Sequence, residues 1–130
     1  MSLYKLFSMQ IFAKEFIYYK TKKKMFDFLK TKKTYETISG DAARTLISKN
    51  PSAIILDVRT LGEFNQGALK AAINVDFMGG SFKVKIAKLD KNKTYLVYCR
   101  SGNRSDIACS VMESLGFTKL FNLSGGIGNF

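Results

Sequence analysis

Short apolar runs alternate with amphipathic segments through most of this sequence, and the alternation constrains the fold more than any other feature. Tyr95 to Tyr98 is one such run, continuous and uncharged, as expected for a strand buried on both faces of a parallel sheet. From Ile107 to Leu115 the apolar residues instead recur at three- and four-residue steps until Gly116, which is typical of a helix packed on that sheet. The stretch is therefore predicted to form a strand, a tight loop and a helix.

The same alternation on both sides of this stretch predicts five strands and the helices between them. Strands are expected at residues 35–38, 53–56, 72–75, 95–98 and 120–123, with helices at 42–47, 61–65, 82–89 and 104–115. Strands that alternate with helices imply right-handed crossovers, a mostly parallel sheet and helices on both of its faces. The predicted fold class is α/β, with Cys99 at the carboxyl end of a strand, where such sheets bind ligands.

Composition narrows the chemistry that this fold can carry. With 130 residues and 46% apolar content, the chain can build one core of ordinary size. Two cysteines, Cys99 and Cys109, are too few for a disulfide framework, and without histidine the usual zinc spacings are missing. We therefore expect no metal, and a nucleophile here must be activated by backbone dipoles and cationic side chains.

Basic residues are concentrated in the N-terminal segment, residues 1–33, which we separate from a domain formed by residues 34–130. The net charge is +11, and residues 1–34 hold nine lysines against two acidic residues. The segment is rich in aromatic residues and is predicted to form a helix with one apolar face opposite its lysines. The residues of this predicted face are Met9, Phe12, Phe16, Tyr19 and Phe26.

The N-terminal segment is expected either to pack on its own domain as a helix that covers the fold or to form a partly disordered arm. Contact with an anionic membrane surface or with a second copy of the chain is the alternative, and nucleic-acid binding is not expected. The longest uncharged run of this segment, from Leu6 to Ala13, is too short and too polar for a transmembrane helix or a signal peptide. A cytoplasmic location is therefore predicted.

The loop after the predicted fourth strand can activate a thiol. If residues 101–104 curl into the first turn of the following helix, several backbone N–H groups and the helix dipole would converge on one anionic group. When that group is the sulfur of Cys99, its thiolate is stabilised and its pKa falls. Arg100 and Arg104 would strengthen this effect and could hold an anionic substrate, while Gly102 tolerates an unusual φ. Cys109, within a helix, is expected to be a buried apolar residue.

A thiolate in such a loop could attack either sulfur or phosphorus, and the loop length favours sulfur. Protein tyrosine phosphatases separate their cysteine and arginine by five residues, which leaves room for a tetrahedral phosphate. Here four residues separate Cys99 from Arg104. Phosphatase or arsenate reductase chemistry is therefore kept only as a minor alternative.

The motif YCRSGNRS, followed by an amphipathic helix, ESLGF and LSGGI, resembles a single-domain rhodanese. The earlier stretch ILDVRTLGEFNQGALKAAINV resembles the first signature of the same family, and the match covers about residues 35–130. The resemblance implies a three-layer α/β/α fold around a five-stranded parallel sheet. It also implies a thiosulfate sulfurtransferase without a cofactor, in which a persulfide on Cys99 carries sulfur from a donor such as thiosulfate to cyanide or a thiol.

The resemblance also assigns roles to other residues. The predicted substrate-binding residues are Arg100, Ser101, Gly102, Asn103 and Arg104, and the predicted structural support consists of Asp57, Arg59 and Glu63. A persulfide carrier or binding module that serves a sulfur-accepting protein remains an alternative, because it would use the same loop. The chain departs from the family at Ala68, where a histidine is common, and near Phe130, where a tryptophan is frequent and a final helix is usual.

Overall fold

The computed structural model describes residues 3–29 and 33–130, and its contacts divide the chain into two units. The first unit, residues 1–32, contains helix α1 (Leu3–Leu29), a segment without proline or glycine, which are the residues that favour helices least. The second unit, residues 33–130, contains the sheet and the remaining helices. The predicted boundary between residues 33 and 34 stays a prediction, and residues 1, 2 and 30–32 lie outside the described residues.

Helix α1 forms as predicted, but its apolar residues do not gather on one face. Phe12 and Phe16 of the predicted face are exposed, and so are Ile11, Ile17 and Tyr18, which lie about 100° away from their neighbours around the helix axis. The predicted separation of an apolar face from a lysine face is therefore wrong for the described side chains, which do not include that of residue 26. Among the described helices, none combines the length and apolarity that a membrane crossing requires.

The second unit is a five-stranded parallel sheet with order β1-β5-β4-β2-β3. Its elements, in chain order, are β1 (Glu36–Ile38), α2 (Gly40–Lys49), β2 (Ile54–Asp57), α3 (Leu61–Asn65), β3 (Ile73–Asn74), α4 (Phe82–Ile86), β4 (Tyr95–Tyr98), α5 (Asn103–Ser114), β5 (Leu120–Leu123) and a 3₁₀ turn (Ile127–Asn129). The predicted α/β fold and its five parallel strands are confirmed.

Two predicted elements are longer than those observed by at least two residues. β3 has two residues rather than four, because this edge strand pairs with β2 only at Ile73 and Asn74. α4 ends at Ile86 rather than residue 89, because the chain tightens there and the N–H of Leu89 bonds the carbonyl of Ile86 three residues back. Both differences concern where an element ends and leave the order of elements unchanged.

The central strand β4 separates two apolar clusters. Tyr95, Val97 and Cys99 point to one face, where they pack with α4, α5 and Phe117. Leu96 and Tyr98 point to the opposite face, where the cluster includes residues of α2 and of the C-terminal turn. Helices therefore cover both faces, and Cys99 lies where β4 ends between the two layers.

Candidate active site

Strand β4 leads directly into a loop that surrounds the sulfur of Cys99. Cys99 has no exposed surface, and residues 100–102 turn at once into α5. The backbone N–H of Gly102 donates to Cys99 Sγ at 3.0 Å, and the Ser105 hydroxyl lies within donating distance of the same sulfur at 3.3 Å. Donors from the loop and from the first turn of α5 therefore converge on this atom.

These contacts lower the pKa of the Cys99 thiol. Burial alone would raise it, but hydrogen bonds from the Ser105 hydroxyl and from the backbone N–H groups of Ser105, Ser101 and Gly102 outweigh burial. Burial raises the pKa of Cys109, which lies in the middle of α5. The environment of Cys99 therefore favours the thiolate, and that of Cys109 favours the neutral thiol.

The C-terminal turn packs against the backbone of the cysteine loop. Gly102 has a φ of 101°, in the left-handed region that glycine tolerates. A Cβ on Gly126 would lie 2.6 Å from the carbonyl oxygen of Cys99 and closer still to the backbone of Arg100, so two stretches of backbone meet there. The N–H of Ile127 donates to the Cys99 carbonyl at 2.9 Å. The loop geometry therefore depends on residues 126 and 127 as well as on the loop itself.

Arg104 pairs with Glu63 rather than pointing freely at a substrate. Its two terminal nitrogens donate to the two carboxylate oxygens of Glu63 at 2.7 and 3.0 Å. Glu63 also accepts from the backbone of Thr60 in a capping box at the start of α3, which fixes the position of the carboxylate. The bond from Arg104, helped by Thr60, lowers the pKa of Glu63 to about 2. This pair joins α3 to the loop through residues that lie far apart in the sequence.

The Arg104 to Glu63 pair predicts how the stability of the domain responds to acid. Because the folded pKa of Glu63 is about 2 against an ordinary 4.5, its contribution is complete above the ordinary value and is lost as pH falls towards 2. The Glu63→Gln variant should be less stable at neutral pH and should lose less stability across that window, as measured by thermal unfolding. Glu36→Gln removes the same charge from an exposed position, and an identical acid profile for both variants would contradict the assignment.

Asp57 and Arg59 form a buried pair beside the loop. The Asp57 carboxylate accepts from Arg59 at 2.7 Å, and the two side chains are 0% and 8% exposed. Arg59 also donates to the carbonyl of Gly67 at 2.7 Å, and its guanidinium lies 5.6 Å from the ring centre of Tyr98. The amide of Asn74 donates to the carbonyls of both paired residues. All of these contacts are internal to the domain, which fits the structural role expected for this pair.

Two cavities flank the cysteine loop, and four of the five predicted substrate residues, all but Arg104, line one or the other. One, of about 340 Å³, is lined by Arg59, Glu63, Gln66, Gly67, Arg100 and Ile127. The other, of about 320 Å³, is lined by Lys33, Thr37, Ser101, Gly102, Asn103, Asp106, Asn122, Ser124 and Gly125. Arg100 is exposed beside the first cavity, while Ser101 and Asn103 face the second. Within the described ranges, no cluster of three or more cysteine and carboxylate side chains could hold a metal ion.

Sequence reasoning missed two residues at this site. Ser105 donates to the sulfur, and Asn122 of β5 lies 3.4 Å from the carbonyl of Gly102. Ser105 could have been found, because a residue in the first turn of a helix faces the loop that precedes it. Asn122 gave a weaker signal, since it is a polar residue inside an otherwise apolar strand.

The chain belongs to the family of the rhodanese-like domain, whose model matches residues 39–130. A putative sulfurtransferase of Bacillus subtilis is 33% identical over 90 residues, which are 69% of this chain and 84% of that protein. A sulfurtransferase of Allochromatium vinosum is 27% identical over 90 residues, covering 69% and 82%. The crystal structure of a rhodanese-related protein from Thermoplasma volcanium has a TM-score of 0.63 and 29% identity, and the match covers 72% of this chain and 87% of that one. The resemblance inferred from the sequence is confirmed.

Other relatives carry different names. A putative sulfur carrier protein of Bacillus subtilis is 28% identical over 90 residues, but this chain covers only 48% of it. A tRNA uridine(34) hydroxylase of Pelagibacter ubique is 33% identical over 78 residues, of which this chain covers 26%. Together the relatives support an enzyme of the rhodanese family and sulfur transfer in general, without identifying a donor or an acceptor.

Proposed function

We propose that this protein is a thiosulfate sulfurtransferase that carries sulfur as a persulfide on Cys99. The observation that supports the proposal most directly is the cradle around Cys99 Sγ, where backbone and hydroxyl donors lower the thiol pKa in a chain without histidine. A thiolate held in this way is the nucleophilic form of the cysteine. The ion pairs made by Asp57 and by Glu63 support the loop that holds it.

Each half of the reaction is a displacement at sulfur. The Cys99 thiolate attacks the outer, sulfane sulfur of thiosulfate, the bond between the two sulfur atoms of the donor breaks, and sulfite leaves with the electron pair. An acceptor, either a thiolate or cyanide, then attacks the outer sulfur of the persulfide and returns Cys99 as a thiolate. No electrons enter or leave the overall transfer, so no cofactor is needed. The cradle that stabilises the thiolate also stabilises the charge of the persulfide.

Arg100 is the cation that we assign to the incoming anion. Arg104 is already paired at 2.7 Å with Glu63, whereas the side chain of Arg100 is exposed beside the cavity of about 340 Å³. Because Cys99 has no exposed surface, a donor reaches the sulfur only when the rim of the loop moves aside. We place the protein in the reducing cytoplasm, because both cysteines are free and Cys99 must cycle as a thiol.

Mass spectrometry of the intact protein after thiosulfate treatment tests the proposal. We expect the mass of one added sulfur atom, which a thiol reductant removes, and peptide mapping should locate it on Cys99 rather than on Cys109. A protein that remains unmodified with thiosulfate and polysulfide, yet hydrolyses an aryl phosphate, would rule out sulfur transfer and favour the phosphatase alternative.

A persulfide carrier that serves a protein partner is the second candidate, favoured by the similarity to a sulfur carrier protein. The two candidates differ in the second half of the reaction. An enzyme of the first kind releases sulfur rapidly to cyanide or to a small thiol. A carrier would form the same persulfide but keep it until a sulfur-accepting protein is supplied, so the rate of persulfide loss to cyanide separates the two.

A further inference from the structure

The carbonyl oxygen of Gly102 has more donors than it can accept. The N–H of Asp106 lies 3.1 Å away, the Ser105 hydroxyl also lies 3.1 Å away, and Nδ2 of Asn122 lies 3.4 Å away. A carbonyl oxygen has two lone pairs, and the Asp106 N–H uses one of them as part of the helical bonding of α5. Ser105 and Asn122 therefore compete for the second.

The outcome of this competition decides what the Ser105 hydroxyl can do. A serine hydroxyl carries one hydrogen, and here it lies within reach of two acceptors, the Gly102 carbonyl at 3.1 Å and Cys99 Sγ at 3.3 Å. If the hydrogen points at the carbonyl, the sulfur loses a donor. If the second lone pair of the carbonyl is already occupied, the hydrogen is free for the sulfur.

Asn122 is an unfavourable residue for the core unless its amide donates to the Gly102 carbonyl. The residue is 3% exposed on β5, and its Oδ1 is buried without a hydrogen-bond partner among the described residues. An unpaired buried acceptor destabilises a fold, so an apolar residue of similar size would suit this position better. Its Nδ2 lies 3.4 Å from the Thr37 hydroxyl oxygen and 3.4 Å from the Gly102 carbonyl oxygen, and an amide NH2 has two N–H groups, one for each acceptor. The amide therefore links β1 to the cysteine loop, and its contact with the Gly102 carbonyl is the one that bears on Cys99.

We propose that Asn122 is a positioning residue for Cys99: its Nδ2 occupies the second lone pair of the Gly102 carbonyl and so leaves the Ser105 hydrogen for the thiolate. The inference deepens the proposed function and rests on the role that it gives to Cys99. Asn122 touches neither the sulfur nor a substrate and acts through Ser105. It therefore affects how much thiolate is present, not whether a nucleophile exists.

A double-mutant cycle tests this competition. Ser105→Ala, Asn122→Leu and the double variant are made in a Cys109→Ser background, and the pKa of Cys99 is taken from the pH dependence of alkylation by iodoacetamide. Both single variants should raise that pKa, and loss of one donor should lower alkylation on the acid side of the profile by about threefold to tenfold. The double variant should match Ser105→Ala alone, because both changes remove the same hydrogen bond.

The controls separate this role from a structural one. Thr37→Val removes the other acceptor of the Asn122 amide and should leave the pKa of Cys99 unchanged. Asn122→Leu should unfold at the same temperature as the parent or above it, and Asn122→Met is used if the leucine variant does not fold. An unchanged pKa in a folded Asn122 variant, or additive shifts in the double variant, would overturn the proposal. Alkylation needs no sulfur donor, so a failure of sulfur transfer itself would show in the thiosulfate experiment and not here.

Discussion

Replacing Cys99 by serine is expected to abolish sulfur transfer, with a rate at least about 10³-fold below that of the parent protein. The donors that lower the pKa of the thiol cannot bring a serine hydroxyl, which is a far weaker acid, into its ionised form near pH 7. A serine oxygen also cannot form a persulfide. Transfer from thiosulfate to cyanide, followed by the thiocyanate released, measures this loss, and circular dichroism checks that the variant is folded.

Cys109→Ser is the matched control for this prediction. Cys109 lies in the same core cluster as Cys99. Burial raises the pKa of Cys109, whereas hydrogen-bond donors lower the pKa of Cys99. We expect its serine variant to keep sulfur transfer within about twofold once allowance is made for lost stability, because a hydroxyl replaces a buried thiol of similar size. Equal loss of activity in both variants would mean that folding, and not the nucleophile, explains the effect.

Replacing Asp57 by alanine is expected to lower the free energy of unfolding by about 3–5 kcal/mol, because it leaves the buried guanidinium of Arg59 without its carboxylate. A domain of this size has a total stability of about 5–15 kcal/mol, so this single change would remove a large fraction of it. The carbonyl of Gly67 would remain as an acceptor, but a carbonyl does not neutralise a buried charge. Urea unfolding at neutral pH measures the change.

Asp41→Ala provides the comparison, since it removes a carboxylate paired with Arg44 on the surface of α2. The Asp41 side chain is 91% exposed, so water replaces the lost partner and the expected cost is below about 1 kcal/mol. If the two variants lost similar amounts of stability, the pair at Asp57 would not be acting as a buried ion pair.

The sequence predicted the fold well because its signals are local. Strands β4 and β5 begin and end where their apolar runs do, and α3 follows its capping residues. Cys99 could be identified for the same reason, since it lies between a continuous apolar strand and a helix with a clear period. Where a strand lies at the edge of the sheet, as β3 does, its length depends on the neighbouring strand rather than on its own residues.

The rest of the site depends on contacts between residues that are distant in the sequence. The pair of Arg104 with Glu63 spans 41 residues, and no local pattern indicates that the arginine is already occupied. The donation from Ile127 to the loop and the competition of Asn122 for the Gly102 carbonyl arise only when the ends of β4 and β5 meet. The position of the nucleophile was therefore predictable, but the set of groups that adjusts its acidity was not.

The opposite environments of the two cysteines have a consequence for how this domain can be studied. Both belong to one apolar cluster, yet folding lowers the pKa of the Cys99 thiol and raises the pKa of the Cys109 thiol. When the chain unfolds, both become ordinary exposed thiols, so Cys99 loses acidity while Cys109 becomes available for the first time. The ratio of Cys109 labelling to Cys99 labelling therefore reports how often the core opens, and the native chain needs no added probe.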